Sequence, residues 1–291
     1  MLTFQNMFFF ESAVQLSKGE TAGSTDGLLP STAESPSMLT QFLICLYVFL
    51  SGIAVSRTPV LWLSPFSTFA AALVYLVTSW VSSFLQFHKG MSHSQSSLWN
   101  LYSTHIIYSS ISLCCVVLYA SSHSSVADMM QPSLSLGHFS RSVVASSAGF
   151  FGFVLWVEVN KHLFSRSYLA FFHYVLMLIL FSAAAYKNTN VHLMCLGLVS
   201  EAYSIIRYGR KLFELRGIQV TRSQTFKPLE IFVFISCRLL PHAGILATIA
   251  LTSQSFPSSA SYWIALLGMF YMNAVNIRHF SASFGRKPHL A

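Results

Sequence analysis

Charge is scarce in this chain. Only 9% of its 291 residues are Asp, Glu, Lys or Arg, whereas soluble globular domains carry about 25%. With 54% hydrophobic residues and a mean hydropathy of +0.57, it has too little polar surface to coat a water-soluble particle. Aspartate is absent after Asp128. The five cysteines, Cys45, Cys114, Cys115, Cys195 and Cys237, sit in apolar runs without CxxC spacing or a partnering His cluster. Neither a disulfide framework nor a metal site is expected from them, and buried structural thiols are. There is no GxSxG, Walker-type glycine loop, HExxH or dinucleotide fingerprint, so no common catalytic motif declares itself. The chain shows no internal repeat, and Gly149 and Gly152 read as a close helix contact rather than a phosphate loop.

What the chain has instead is apolar runs. A helix needs about 20 mainly apolar residues to cross the hydrocarbon core. Runs at 38–55, 61–85, 101–120, 142–159, 168–186, 191–208, 229–251 and 260–280 predict an all-α polytopic membrane bundle of about eight transmembrane helices. Arg57, Pro59 and Pro65 lie at the junction of the first two runs and mark either a short turn or a break, so seven spans is the alternative. The 26 Phe suit lipid-facing surface, and the 12 Tyr and 5 Trp suit headgroup depth.

The excess of 17 Lys and Arg over 9 Asp and Glu would hint at nucleic acid in a soluble protein; in this chain it predicts basic cytosolic loops and no nucleic-acid partner. Eight spans put thirteen of the basic residues on the side of the termini and three, Arg57, Arg141 and Lys187, on the other, with Arg238 inside a span. Both termini are therefore expected in the cytosol. Residues 1–37 lack the pattern of a secretory or mitochondrial leader and read as a mobile cytosolic tail. A transmembrane domain over 38–283 and a short cytosolic tail over 284–291 complete the division.

The ionisable residues inside the spans carry most of the functional information, because each is costly in lipid unless paired or facing a polar cavity. His105 and His173 each lie about five residues from the cytosolic start of a span, so their imidazoles are expected at one depth and at one site. They read either as core histidines bonded to backbone carbonyls or as a catalytic pair, since imidazole titrates near neutral pH. Glu201 and Arg238 belong near the midplane and are expected to pair, as a structural clamp or as the lining of a lipid cavity. His242, one turn beyond Arg238, extends that network or packs. Arg207, Arg210 and Lys211 read first as cytosolic anchoring and second as headgroup or acyl-CoA phosphate contacts.

Five segments in order resemble the TLC domain, the family shared by TRAM, the ceramide synthases and the CLN-type membrane proteins. Trp99 to His105 resembles its Ser-x-x-His segment at the head of a span, and Phe172-His173 its double-histidine segment with the first His replaced. Glu201 followed by Arg207 to Arg210 is similar to its acidic helix, with Tyr208 where Asn is expected. Arg238-Leu239 is similar to its Arg-Ile helix, and Tyr262, Trp263, Asn273 and Asn276 fit its closing helix. The likeness covers roughly residues 60 to 283. It implies helices around an intramembrane cavity that accepts an acyl chain or sphingolipid, lined by His105, His173, Glu201, Arg238 and His242.

The His-Asp-x-x-Asp pattern of ceramide synthases is missing, which places the chain nearer the non-synthase branch, implicated in membrane lipid composition and trafficking at the endoplasmic reticulum. No cofactor is expected, with acyl-CoA entering only for an acyltransferase. In that case His173 would be the base, with His105 assisting or stabilising the oxyanion. Membrane lipids are the expected partners, with a membrane-protein partner or a homodimer as further possibilities. A cargo-escort subunit and a proton pathway are the rival readings, the second opposed by a midplane Arg that repels cations.

Overall fold

A computed structural model describes residues 62–122, 138–160, 168–218, 226–256 and 258–284. Among these residues the ordered structure is helical, in seven rods that fall on the second to eighth expected spans. The first expected span, the N-terminal tail and, beyond Phe284, the C-terminal tail lie outside the described residues.

Helix α1 is Leu63–Phe84, α2 His93–Ser121, α3 His138–Asn160 and α4 Tyr168–Lys187. The next rod is α5, Val191–Gly197, a 3-10 turn at Leu198–Ser200 and α6, Glu201–Leu215. The sixth rod is α7, Phe226–Phe234, a π-helical turn at Ile235–Leu239 and α8, Leu240–Leu251, and α9 is Ser259–Phe284. By length and composition Leu63–Phe84, His93–Ser121, His138–Asn160 and the rod Phe226–Leu251 can each cross a membrane, while the apolar stretch Phe171–Lys187 is shorter.

Local sequence explains the irregular points. Pro65 falls in the first turn of α1, where its missing amide is no loss, so it does not break this span. At α2 the Ser92 side chain accepts from the Gln95 amide at 3.2 Å while Gln95 Oε1 accepts from the Ser92 amide at 2.8 Å, a reciprocal N-cap. Gly90, at φ +81°, makes the turn that precedes it. Pro241 has no amide to donate one turn back, and the π-helical turn lies immediately before its helix.

Helix α3 is the hub, packing on α1 and α4, while α2 lies along α6 and α8 against α9. Gly149 makes the α1 contact possible: a Cβ there would stand 2.0 Å from the Ser64 carbonyl oxygen. Thr68 Oγ1 bonds Gly149 O at 2.8 Å across the same seam. Gly152 is different, since a Cβ there meets Leu178 at an ordinary 3.8 Å. Val144, Phe150, Phe153, Val154, Phe181 and Cys195 fill the main core, and Leu193, Ile245, Ile249 and Met269 a smaller one between α5, α8 and α9. Outward faces carry Trp80, Phe84, Leu118, Phe172, Phe232, Leu251 and Phe270, as lipid-facing surfaces do. Cys114 joins them, so the expectation of buried thiols holds for Cys195 and fails for Cys114.

Candidate functional site

Helix α2 presents His105 and, one turn on, Ser109; α4 presents His173 and Tyr174; α6 presents Glu201, Tyr203, Arg207 and Tyr208. His105 is buried between aromatic rings. It stacks on Tyr208 at a centroid distance of 4.3 Å and 21°, and meets Phe150 edge-on at 5.0 Å. The Tyr174 ring lies 5.9 Å from that of His105 and 5.5 Å from that of its chain neighbour His173, which puts one ring between the two imidazoles. The Tyr174 and Tyr208 hydroxyls share a 2.7 Å hydrogen bond that ties α4 to α6. His173 Nδ1 is buried without a hydrogen-bond partner.

The expected ion pair between Glu201 and Arg238 does not form, whereas Arg210 pairs with both Glu214 and Glu230. Glu201 accepts a 2.5 Å hydrogen bond from the Ser109 hydroxyl. Arg238 lies in the π-helical turn, where the wider winding shifts the faces of the helix, and its Nε donates to Asn276 Oδ1 on α9 at 2.8 Å. The guanidinium also lies 5.5 Å from the Tyr203 ring centroid, a cation–π distance. Both groups are thus solvated by neutral partners while remaining electrostatic neighbours. His242 Nδ1 donates to the Arg238 carbonyl at 2.6 Å, and Asn273 Nδ2 bonds the His242 carbonyl at 3.2 Å, so His242 braces backbone.

The basic residues at the end of α6 divide. Lys211 Nζ lies 5.0 Å from the Tyr102 ring centroid, and Arg207 Cζ lies 6.0 Å from that of Tyr208. Arg210, expected at the membrane surface, turns inward: its Nη1 reaches both oxygens of Glu230, at 2.8 and 2.7 Å, and its Nε lies 3.3 Å from Glu214. Glu230 is 2% exposed and also accepts a long hydrogen bond from Tyr203, whose hydroxyl meets His279 Nε2 at 2.9 Å.

The sequence reading did not include this Arg210, Glu230, Tyr203 and His279 network. Its trace was present, since Tyr203, Arg207 and Arg210 recur at i, i+4 and i+7 on one helix face and Glu230 opens an apolar run. Among the described residues no cluster of three or more His, Cys, Asp or Glu has metal-binding geometry.

The family model for the TLC domain matches residues 99–282. The chain belongs to the TLC-domain family. The match runs from within α2 to the last turn of α9 and contains every residue of the site just described. It begins later than the resemblance read from the sequence, so α1 lies outside it although α1 packs on α3. Comparison with curated proteins gives no match. A TLC domain is a membrane helical domain of a family linked to lipid metabolism and transport, which agrees with the apolar rods described above.

Proposed function

We propose that this TLC-domain protein binds or processes a membrane lipid, an acyl chain or a sphingolipid, at the interior site formed by His105, His173, Tyr174, Arg207, Tyr208, Arg238 and Asn276. One observation carries the reading. His173 Nδ1 and Asn276 Nδ2 are buried with no hydrogen-bond partner, in a bundle whose outer faces are apolar. Unmet polar groups in such surroundings are costly, and a lipid headgroup or carbonyl supplies the missing partners while its chain follows the apolar walls.

The reading places the protein in the non-synthase branch, in the endoplasmic reticulum membrane, with both termini cytosolic. The lack of Asp beyond Asp128 supports the branch and the basic bias of one set of loops supports the orientation. A second reading is acyl transfer from acyl-CoA. It is favoured by the unengaged His173 Nδ1, with His173 taking the proton of an amine or hydroxyl as that acceptor attacks the thioester carbonyl and giving it to the CoA thiolate that leaves as the C–S bond breaks. His105, stacked on Tyr208, would position rather than transfer.

Mass spectrometry of lipids bound to the purified full chain, alongside cellular lipid profiles, tests the proposal. The wild type is expected to retain a discrete lipid set that a His105→Ala, His173→Ala double variant loses. Identical bound and cellular profiles would sink both readings.

A further inference from the structure

We infer that the lipid taken by this site carries an oxyanion headgroup, a carboxylate or a phosphate, with the Arg207 guanidinium as its main counter-charge. The inference rests on the lipid-site reading above and narrows its ligand to an anion.

Charge accounting among the described residues leads to it. Of the carboxylates around α6, Glu230 and Glu214 are engaged by Arg210 and Glu201 by the Ser109 hydroxyl, while Glu158 on α3 lies within electrostatic range of Lys211 and Tyr174 with its Oε2 buried and without a hydrogen-bond partner. No carboxylate of the described residues lies at ion-pair distance from Arg207. Its electrostatic neighbours are the hydroxyl-bearing rings of Tyr102, Tyr174, Tyr203 and Tyr208, which are neutral. Arg207 also lies within electrostatic range of Arg238 and Lys211; Glu201 acts on Arg238, and Glu214 and Glu158 on Lys211, which leaves Arg207 as the member of the three with no carboxylate among its neighbours. Arg238 in turn has a neutral hydrogen-bond partner, Asn276 Oδ1.

A second observation is independent of charge. Asn276 is fully buried, its oxygen is taken by Arg238, and its Nδ2 donor has no acceptor. The unmet capacity beside Arg238 is therefore a donor, which calls for an acceptor-rich group. Guanidinium presents its N–H groups in a planar fork that fits two oxygens of a carboxylate or phosphate at once. Both histidines and the Tyr174–Tyr208 hydroxyl pair border the same place, so a headgroup on Arg207 would leave its chain against Phe150 and the α3–α4 core. Placement near the cytosolic end of α6 is where a headgroup would sit under the expected orientation.

The purified full chain in neutral detergent is titrated with oleic acid, dioleoyl phosphatidic acid, dioleoylglycerol and inorganic phosphate, read by native mass spectrometry and by thermal shift. The expected result is that an anionic lipid binds at least about tenfold more tightly than dioleoylglycerol and that Arg207→Gln abolishes the preference, with Arg207→Lys restoring part of it. Oleic acid against phosphatidic acid assigns carboxylate or phosphate. Binding of inorganic phosphate alone supports the oxyanion seat with a soluble source. Equal binding of neutral and anionic lipid overturns the inference and leaves the lipid site standing, whereas no binding of any lipid removes both. Should Arg207→Gln fail to fold, the wild-type comparison decides alone.

Discussion

The imidazole of His105 lies flat on the phenol of Tyr208, 4.3 Å between centroids, and the Tyr208 hydroxyl meets that of Tyr174 on the helix that carries His173. Tyr208 therefore shapes the site by stacking and by a hydrogen bond. Tyr208→Phe keeps the stack and loses one hydrogen bond, a cost of about 1 kcal/mol. Tyr208→Ala loses both and leaves a cavity, for about 3–5 kcal/mol. Thermal unfolding in detergent, with lipid retention as a second readout, should rank them in that order.

Arg210 and Glu230 are a buried pair, and removing one partner strands the other. Glu230→Gln is expected to destabilise by about 3–5 kcal/mol. Glu214, with its side chain 45% exposed, also touches Arg210, yet Glu214→Gln should cost under about 1 kcal/mol. An Arg210→Met, Glu230→Met double variant should recover most of the loss, as replaced buried pairs do. Equal melting temperatures for Glu230→Gln and Glu214→Gln would contradict this assignment.

Gly149 sets how closely α1 and α3 approach. Gly149→Ala drives a methyl into the Ser64 carbonyl and should destabilise by about 1–3 kcal/mol or push the helices apart. Gly152→Ala, three residues along the same helix, has room and should melt near the wild type. Folded yield and melting temperature of the two variants check the difference.

The proposed orientation rests on loop charge and is open to direct mapping. An Asn-x-Ser acceptor engineered into 123–137 is expected to be glycosylated in microsomes, and one in the turn between α1 and α2 to stay unmodified. The reverse pattern would invert the topology.

The helices after the first expected span were legible because hydrocarbon thickness imposes a length that apolar runs report directly; seven rods fall on expected positions, and four of them are long and apolar enough to cross a membrane. The nearness of His105 and His173 to the Tyr174 ring agrees with the similar position expected for them along their helices, which needs only the helical rise. The Glu201–Arg238 pair was misread because depth says nothing about the helix face: Arg238 sits in a π-helical turn and turns to Asn276 on α9. Arg210 was read as an anchor because a basic cluster at a span end normally faces the surface, whereas Glu230 draws it into the bundle. Partner choice between helices depends on the tertiary arrangement, which residue spacing alone did not reveal.

The most direct test of the central claim is photocrosslinking of the full chain in membranes with a lipid carrying a diazirine on its acyl chain, followed by peptide mapping. The account predicts labels on the α2, α4 and α6 segments around His105, His173 and Tyr208, lost when excess unlabelled lipid competes. Labels confined to outward residues such as Phe172, Phe232 and Leu251, and insensitive to competitor, would contradict an interior lipid site.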